Sequence, residues 1–234
     1  MKRRRETERG SEIRPAIEEL LIALKVKQPE GKEEGEASHD SAQLKLDAVH
    51  IPTKAFISVC KFVLQVLDKI GPTMAVLRQD IHQNIQRLEA LHDSQPEVYC
   101  NLIEMLNKEK NEGDAKKSDS CSRAFVWLTR ALDFTVAILR KLADEPGKTM
   151  EQAVEESYAA TLKPWHGWIS SAAYKVALKM VPHRNFLMNL LVNKEDSVES
   201  LICDFKSLIS SLVPLLDDAH NVMESYGLCK LKSR

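Results

Sequence analysis

The chain has 234 residues, of which 33 are basic and 34 acidic, so its formal net charge is -1. This length suits one domain with a sizeable core plus an extension, because a single hydrophobic core grows comfortably to about 200 residues. The balanced charge gives no overall attraction to nucleic acid or to an acidic surface. Nucleic-acid binding is therefore not expected, and any affinity for a membrane must come from a local patch.

The five cysteines are widely spaced and odd in number, without a C-x-x-C pair or a histidine at ligand spacing. We therefore expect neither a disulfide framework nor a metal site. The longest apolar runs, such as residues 20–24, are far shorter than the roughly 18 residues that span a bilayer. Acidic residues also interrupt the stretch that follows the basic start, where a secretion signal would be apolar. The sequence predicts a soluble, cytosolic protein.

The first 46 residues differ in composition from the remainder. Residues 1–11 are charged and residues 27–46 are rich in Glu, Gly, Ser and Lys, which favours a largely mobile extension. Between them, apolar residues at helical spacing predict one amphipathic helix near residues 12–26. We expect an extension over residues 1–46 and a folded domain over residues 47–230.

From Thr53 onward, apolar residues recur at three- and four-residue intervals, and no stretch alternates as a half-buried strand would. The fold class predicted is all-α. Gly71-Pro72 ends the first helix, and a second covers residues 73–92. Ser94-x-x-Glu97 has the spacing of a capping box that opens a third helix, whereas residues 107–122 are polar and predicted to be loose. Further helices are expected at about 121–143, from 149 onward, 164–181, 184–192 and 196–226.

Three polar residues flank the apolar stripe of the second helix. Asp80, Asn84 and Arg87 stand at i, i+4 and i+7, so they follow one edge of the buried face. A carboxylate, an amide and a guanidinium supply the acceptors and donors that a polyhydroxyl or an amide requires. The alternative is a surface network of little energetic consequence.

The helix predicted over residues 121–143 is apolar nearly all round and should be central. On it, Trp127, Arg130 and Phe134 share one face. A buried arginine needs a partner, and the flat tryptophan ring suits either a cation or the apolar face of a sugar. Packing in the core is the alternative role for this tryptophan.

The run from Lys163 to Trp168 reads Lys-Pro-Trp-His-Gly-Trp. His166 therefore follows a proline at a helix start and lies between two tryptophans. A neutral imidazole with a free ring N–H is a good donor to a carbonyl, although a histidine here could also be part of the core. Because no nucleophile elbow or metal-ligand spacing accompanies it, a binding site is favoured over an enzyme such as a hydrolase using His166 and Asp80.

Taken together, Asp80-x3-Asn84, Trp127-Leu128-x-Arg130 and Trp165-His166-Gly167-Trp168 resemble the glycolipid transfer protein family. The resemblance covers about residues 50–228 and looks closest to the plant branch of the family. The Trp-His-Gly-Trp stretch is highly specific, whereas the Asp-Asn spacing is weak without it.

The resemblance implies a two-layer helical sandwich of about eight helices that takes one sphingolipid. The head group would bind at the surface, and the chains would enter a collapsible apolar pocket between the layers. The implied activity is non-enzymatic transfer of glycosphingolipids such as glucosylceramide, by a monomer without a cofactor that touches membranes transiently. The residues expected to line the pocket are Phe56, Val59, Val63, Leu67, Phe134, Ile138, Tyr174, Leu178, Phe205 and Leu208.

Carried over to this chain, the family pattern assigns four head-group residues. Asp80 would accept from the ceramide N–H and from head-group hydroxyls, and Asn84 would bond the sugar. Trp127 would stack under the first sugar ring, while His166 would donate to the ceramide carbonyl. The residues expected near the membrane-touching tip are Trp168, Met180 and Val181.

The arginines bear on whether the lipid head group is a sugar or a phosphate. Arg87 is the fifth residue expected to bind the head group: it stands where the family often has lysine, and both side chains donate to hydroxyls, but its wider fork also suits a phosphate. With Arg123 and Arg130 as possible anion ligands, transfer of ceramide-1-phosphate is the alternative, but Asn84 and Trp127 favour a sugar head. A sphingolipid sensor or scaffold that acts through the N-terminal extension is a further alternative.

Overall fold

The computed structural model describes Ile22, residues 49–192 and residues 197–233. Over these ranges the chain forms eight α-helices and no strand, as predicted. The expected extension over residues 1–46, with its helix near residues 12–26, lies outside the described residues except for Ile22, which is helical. In chain order the helices are α1 (Thr53–Ile70), α2 (Ala75–Ser94), α3 (Leu102–Glu112), α4 (Cys121–Asp144), α5 (Met150–Thr161), α6 (Trp168–Leu178), α7 (Arg184–Leu191) and α8 (Val198–Ser225).

Helix α4 is the centre of the two-layer helical sandwich. It packs against α1, α2, α3, α5 and α8, while α1 also contacts α2 and α7, and α6 packs on α5. A helix surrounded in this way buries apolar residues on most of its circumference, which explains the all-round apolar sequence of α4.

Local signals fix several helix ends. The Ser120 side chain caps α4 by accepting a hydrogen bond from the Arg123 amide, and Thr149 and Gln152 form a reciprocal capping box at the start of α5. Helix α3 ends at Gly113, whose φ of 76° is the left-handed conformation that glycine adopts readily.

The capping box predicted at Ser94-x-x-Glu97 is wrong. Helix α2 continues to Ser94, whose hydroxyl donates to the Leu91 carbonyl and so belongs to the end of a helix. Helix α3 begins only after Asn101, whose side-chain oxygen accepts from the amides of Ile103 and Ile51. Asn101 therefore caps α3 and ties it to the chain ahead of α1, which the local spacing could not reveal.

The prediction of a loose segment over residues 107–122 is wrong for its first part, because α3 extends to Glu112. The Glu109 side chain is nearly buried and accepts from the amides of Cys121 and Ser122 at 2.6 and 2.7 Å, and from the Ser122 hydroxyl at 2.6 Å. This carboxylate thus satisfies the free N–H groups at the start of α4.

The helix predicted over residues 164–181 is broken. Pro164 belongs to a short 3-10 turn, Lys163–Trp165, and α6 starts only at Trp168. His166 between them is extended, with φ -79° and ψ 133°. The break sets the imidazole in a bend of the backbone rather than on a helix face.

The apolar residues form one continuous core cluster. All ten residues expected to line the lipid pocket belong to this cluster or pack against it. Phe56, Val59, Leu67, Phe205 and Leu208 are buried, and Val63, Phe134, Ile138, Tyr174 and Leu178 are half-buried and pack against them. No helix in the described ranges is long and apolar enough to cross a bilayer.

Candidate functional site

Trp127 and His166, which are far apart in sequence, share one surface. Their ring centroids are 5.7 Å apart with an interplanar angle of 38°. Trp127 is half-buried, so part of its ring remains open to solvent although it lies on the central helix α4. The structure thus brings the two aromatic groups singled out in the sequence into direct contact.

Tyr158 of α5 contacts His166. The Tyr158 hydroxyl lies 3.2 Å from His166 Nδ1, and the two ring centroids are 5.4 Å apart. Burial, with a smaller contribution from Arg130, lowers the pKa of His166 below its usual 6.5, so the ring is neutral at pH 7. When Tyr158 donates to Nδ1, the ring proton lies on Nε2 and can be donated to a carbonyl.

Arg130 lies between two tryptophans. Its guanidinium carbon is 5.0 Å from the centre of the Trp127 ring and 4.1 Å from that of Trp165, and the residue is only 2 % exposed. Nη1 donates to the Leu231 carbonyl at 2.6 Å and Nη2 to the Cys229 carbonyl at 2.8 Å. Burial lowers the pKa of Arg130 to about 10, so it remains charged at neutral pH.

Residues 229–233, here called the closing segment, bind the other side of the Trp-His-Gly-Trp run. The Ser233 amide donates to the Trp165 carbonyl at 2.9 Å. The Ser233 hydroxyl accepts from the Gly167 amide at 2.7 Å and from the Ser170 hydroxyl at 3.0 Å. Because Gly167 has no side chain, Ser233 supplies the polar group at the start of α6.

The two arginines predicted as anion ligands are engaged elsewhere. Arg130 bonds the carbonyls of Cys229 and Leu231, and Arg123 Nη2 donates to the Lys232 carbonyl at 2.6 Å. Both guanidinium groups therefore hold the closing segment. Sequence reasoning missed this role because a short polar segment with two lysines has the composition of an ordinary solvent-exposed loop.

The α2 trio is organised within its own helix. Asn84 is 4 % exposed; its Nδ2 donates to the Asp80 backbone carbonyl at 3.0 Å, and its Oδ1 accepts from Arg87 Nη1 at 2.9 Å. The Asp80 side chain reaches solvent, yet nearby protein atoms desolvate its carboxyl and raise its pKa, with the Arg87 charge opposing the shift. In the described ranges no group donates a hydrogen bond to this carboxylate.

Helix α2 brings the trio alongside α4. The Cys121 thiol, at the start of α4, donates to the Arg87 carbonyl of α2 at 3.4 Å, and the two helices pack against each other. The helix that carries the trio is therefore a direct neighbour of the helix that carries Trp127.

The predicted membrane-contact residues divide into two groups. Trp168 is 82 % exposed and Met180 is 41 % exposed, whereas Val181 is half-buried and packs against the core. Sequence analysis missed three further exposed apolar residues on α6 and α7, which are Ile169, Val176 and Phe186. The sequence did indicate these residues, because α6 carries more apolar residues than a helix that buries only one face needs.

This arrangement is suited to recognition. The Trp127 ring and the His166 imidazole lie side by side, and Asp80, an acceptor, is on the helix that packs against the one carrying Trp127. Across the described ranges, no three His, Cys, Asp or Glu side chains come together as metal ligands.

Comparison with known proteins identifies the class to which this all-helical fold and site belong. Residues 51–193 match the family described as Glycolipid transfer protein (GLTP). The chain is 51 % identical over 223 residues to Glycolipid transfer protein 3 of Arabidopsis thaliana, covering 95 % of this chain and 92 % of that protein. It is 47 % identical to Glycolipid transfer protein 2 of the same organism, with both chains fully covered. The chain belongs to the glycolipid transfer protein family.

Solved structures share the fold. A structure described as showing how FAPP2 selects simple glycosphingolipids using the GLTP-fold has a TM-score of 0.73 at 24 % identity, covering 80 % of this chain and 92 % of that one. Human ceramide-1-phosphate transfer protein in complex with 12:0 ceramide-1-phosphate also gives 0.73, at 18 % identity, covering 91 % and 97 %. At these identities the likeness shows the fold alone.

Proposed function

We propose that this protein carries sphingolipids between membranes without chemical turnover, and that glycosphingolipids such as glucosylceramide are its cargo. Membership of the glycolipid transfer protein family supports the carrier activity. The observation that carries the choice of cargo is the half-open Trp127 ring, 5.7 Å from the neutral imidazole of His166.

A sphingolipid needs such a carrier because of its hydrocarbon. A ceramide has on the order of 30 methylenes, so moving it through water would cost roughly 25 kcal/mol at about 0.8 kcal/mol per methylene. An apolar protein interior replaces bilayer hydrocarbon at nearly no net cost. Discrimination between lipids then falls to the polar groups at the surface, where a buried unmatched group costs about 1 to 3 kcal/mol.

The head-group roles are those carried over from the family pattern, and the contacts of these residues support them. Trp127 provides the platform for the apolar face of the first sugar, and His166 Nε2–H donates to the amide carbonyl. Asp80, whose carboxylate receives no hydrogen bond within the described part of the chain, accepts from the amide N–H and from sugar hydroxyls. Arg87 donates to Asn84 at 2.9 Å and presents its other N–H groups to the sugar, whereas the buried Asn84 must open toward the ligand to bond the sugar itself.

Membrane contact is assigned to the exposed face of α6 and α7. Trp168 and Ile169 at the start of α6, with Phe186 on α7, expose large apolar side chains, and tryptophan is favoured at the boundary between water and lipid. Lys175 on α6 and Lys179 just after it are also exposed, and their charges suit an anionic surface. The proposed carrier is a cytosolic monomer that docks through this face and leaves again.

A sugar head is preferred over a phosphate because of the arginines. Arg123 and Arg130 are bonded to the closing segment, so a phosphate would have to displace those carbonyls. Arg87 is the cation best placed to meet a ligand from α2. Ceramide-1-phosphate is therefore the second cargo to test.

The test is transfer of glucosylceramide and, separately, ceramide-1-phosphate between vesicles. We expect transfer of glucosylceramide by the wild type, and a loss of about tenfold or more in Trp127→Ala and Asp80→Asn, each of which removes a head-group contact. Asp93→Asn is the matched control, because Asp93 is an exposed carboxylate on the same helix.

Three results would contradict the proposal. Equal transfer by the wild type and the three variants would show that Trp127 and Asp80 do not form a head-group site. Faster transfer of ceramide-1-phosphate would reverse the choice of cargo. Release of free sugar or ceramide in a reaction that depends on His166 would show an enzyme.

A further inference from the structure

Tyr174 of α6 has a hydroxyl with no partner. The oxygen is shielded from solvent and makes no hydrogen bond to any group in the described ranges. A hydroxyl that is shielded from water and has no hydrogen-bond partner is unfavourable, so such a group in a native protein calls for an explanation. Burial also raises the pKa of Tyr174 to about 12, so the hydroxyl keeps its proton and is a donor.

Other buried hydroxyls are less informative. Thr129 and Ser157 also have no partner, but serine and threonine in a helix can turn their hydroxyls toward the carbonyl of the preceding turn. A phenol stands too far from its own backbone for that solution. The Tyr174 hydroxyl must therefore find its partner outside its helix.

The position of Tyr174 suggests which molecule brings the partner. Its ring stacks on Tyr158, with centroids 3.4 Å apart and planes within 6°, and the Tyr158 hydroxyl contacts His166 Nδ1. Tyr174 also packs against the apolar core cluster. The Tyr174 ring is thus separated by one ring, that of Tyr158, from the imidazole assigned to the ceramide carbonyl, and it also borders the apolar core.

We propose that Tyr174 recognises a hydroxyl group on the lipid chains close to the amide, so that the carrier selects ceramides with hydroxylated chains. This inference rests on the proposed function and deepens it. The acyl carbon next to the carbonyl is the chain position nearest to His166, which makes a 2-hydroxy acyl chain the best match. A lipid hydroxyl entering an apolar pocket also needs a partner, so one hydrogen bond satisfies both groups.

The experiment is a competition between two glucosylceramides that differ only in the 2-hydroxyl of the acyl chain. Donor vesicles contain both lipids in equal amounts, and mass spectrometry of the acceptor vesicles gives the ratio transferred. Native mass spectrometry of the protein gives the ratio bound. Because Tyr174→Phe deletes one oxygen and keeps the ring, the change in the ratio of the two lipids measures the contribution of the Tyr174 hydroxyl. Tyr99→Phe is the control, because it makes the same chemical change in the segment between α2 and α3, outside the contacts that join Tyr174, Tyr158 and His166.

We expect the wild type and Tyr99→Phe to favour the hydroxylated lipid by about five- to tenfold, the value of one hydrogen bond. Tyr174→Phe should bring the ratio close to one. A wild-type ratio of one, or an unchanged preference in Tyr174→Phe, would overturn the assignment while leaving the carrier function in place. A wild type that neither binds nor moves either lipid would overturn the proposed function and this inference with it.

Discussion

The two ends of the central helix α4 are held by different chemistry. At its start, the buried Glu109 carboxylate bonds two backbone amides, and Arg130 is fixed by carbonyls about 100 residues away in sequence. At its far end, Lys141 and Lys148 share the exposed Glu156 carboxylate at 2.5 and 2.6 Å. The half-buried Arg184 supplements those surface pairs by donating to the carbonyls of Leu142, Glu145 and Lys148 at 2.6, 3.2 and 3.5 Å.

The difference follows the position of the candidate site. Hydrogen bonds to a buried charge are strong and leave a large penalty when one partner is lost, whereas surface ion pairs are screened and contribute little. Trp127 lies close to the firmly held end. A binding site that must present a ring and an imidazole in fixed relation benefits from such support, and the other end of the helix has no such requirement.

Glu109→Gln should give the largest effect. An amide keeps the size of the side chain and one acceptor oxygen, but its NH2 group replaces the other oxygen and faces the donors of either Cys121 or Ser122. We expect the free energy of unfolding to fall by about 3 kcal/mol, measured by chemical denaturation. Glu112→Gln, an exposed carboxylate on the same helix, should change stability very little. Similar losses in both variants would remove the contrast between buried and surface carboxylates.

Arg130→Lys should come next. Lysine keeps the charge but cannot bridge two carbonyls while stacking on two indoles. Stability should fall by about 2 kcal/mol, and transfer should fall for sugar and phosphate cargo alike, because the closing segment is loosened. Arg140→Lys, at an exposed position of the same helix, is the control. Loss of ceramide-1-phosphate transfer alone would show instead that Arg130 binds the phosphate directly.

Ser233→Ala should have a moderate effect. It removes the acceptor for the Gly167 amide, a helix-capping contact that is typically worth about 1 kcal/mol. Urea denaturation measures that loss, and a vesicle assay should show slower transfer because the Trp-His-Gly-Trp run is less well fixed. Ser225→Ala, at an exposed serine of α8, should match the wild type, and equal behaviour of the two variants would exclude a positioning role for Ser233.

The smallest effect is expected at a surface pair. His220 of α8 bonds Asp133 of α4 at 3.0 Å, which raises the pKa of His220 above 6.5. The pair should therefore stabilise the fold fully below pH 6.5 and lose that contribution as pH rises through the folded pKa. Because His220 is half-exposed, we expect less than about 1 kcal/mol. Unfolding measured from pH 5.5 to 9 should lose this dependence in Asp133→Asn, and a rise in stability with pH would contradict the assignment.

Sequence reasoning succeeded where the information is local or periodic. The three- and four-residue spacing of apolar groups placed most helices, and the resemblance to a known family assigned Trp127 and His166 to one site. It failed where a partner is distant. Nothing in the sequence near Glu109 or Ser233 shows that each residue caps a helix that begins elsewhere. Ser94 has the spacing of a capping box, but it is the last residue of α2.

All three tryptophans of the chain belong to this one region, which makes the protein its own optical probe. Trp127 and Trp165 face a guanidinium, while Trp168 stands in solvent. A cargo that covers the first pair should change the emission intensity, whereas insertion of Trp168 into lipid should shift its emission to shorter wavelength. Loading and docking can therefore be followed separately in unlabelled protein, from one spectrum.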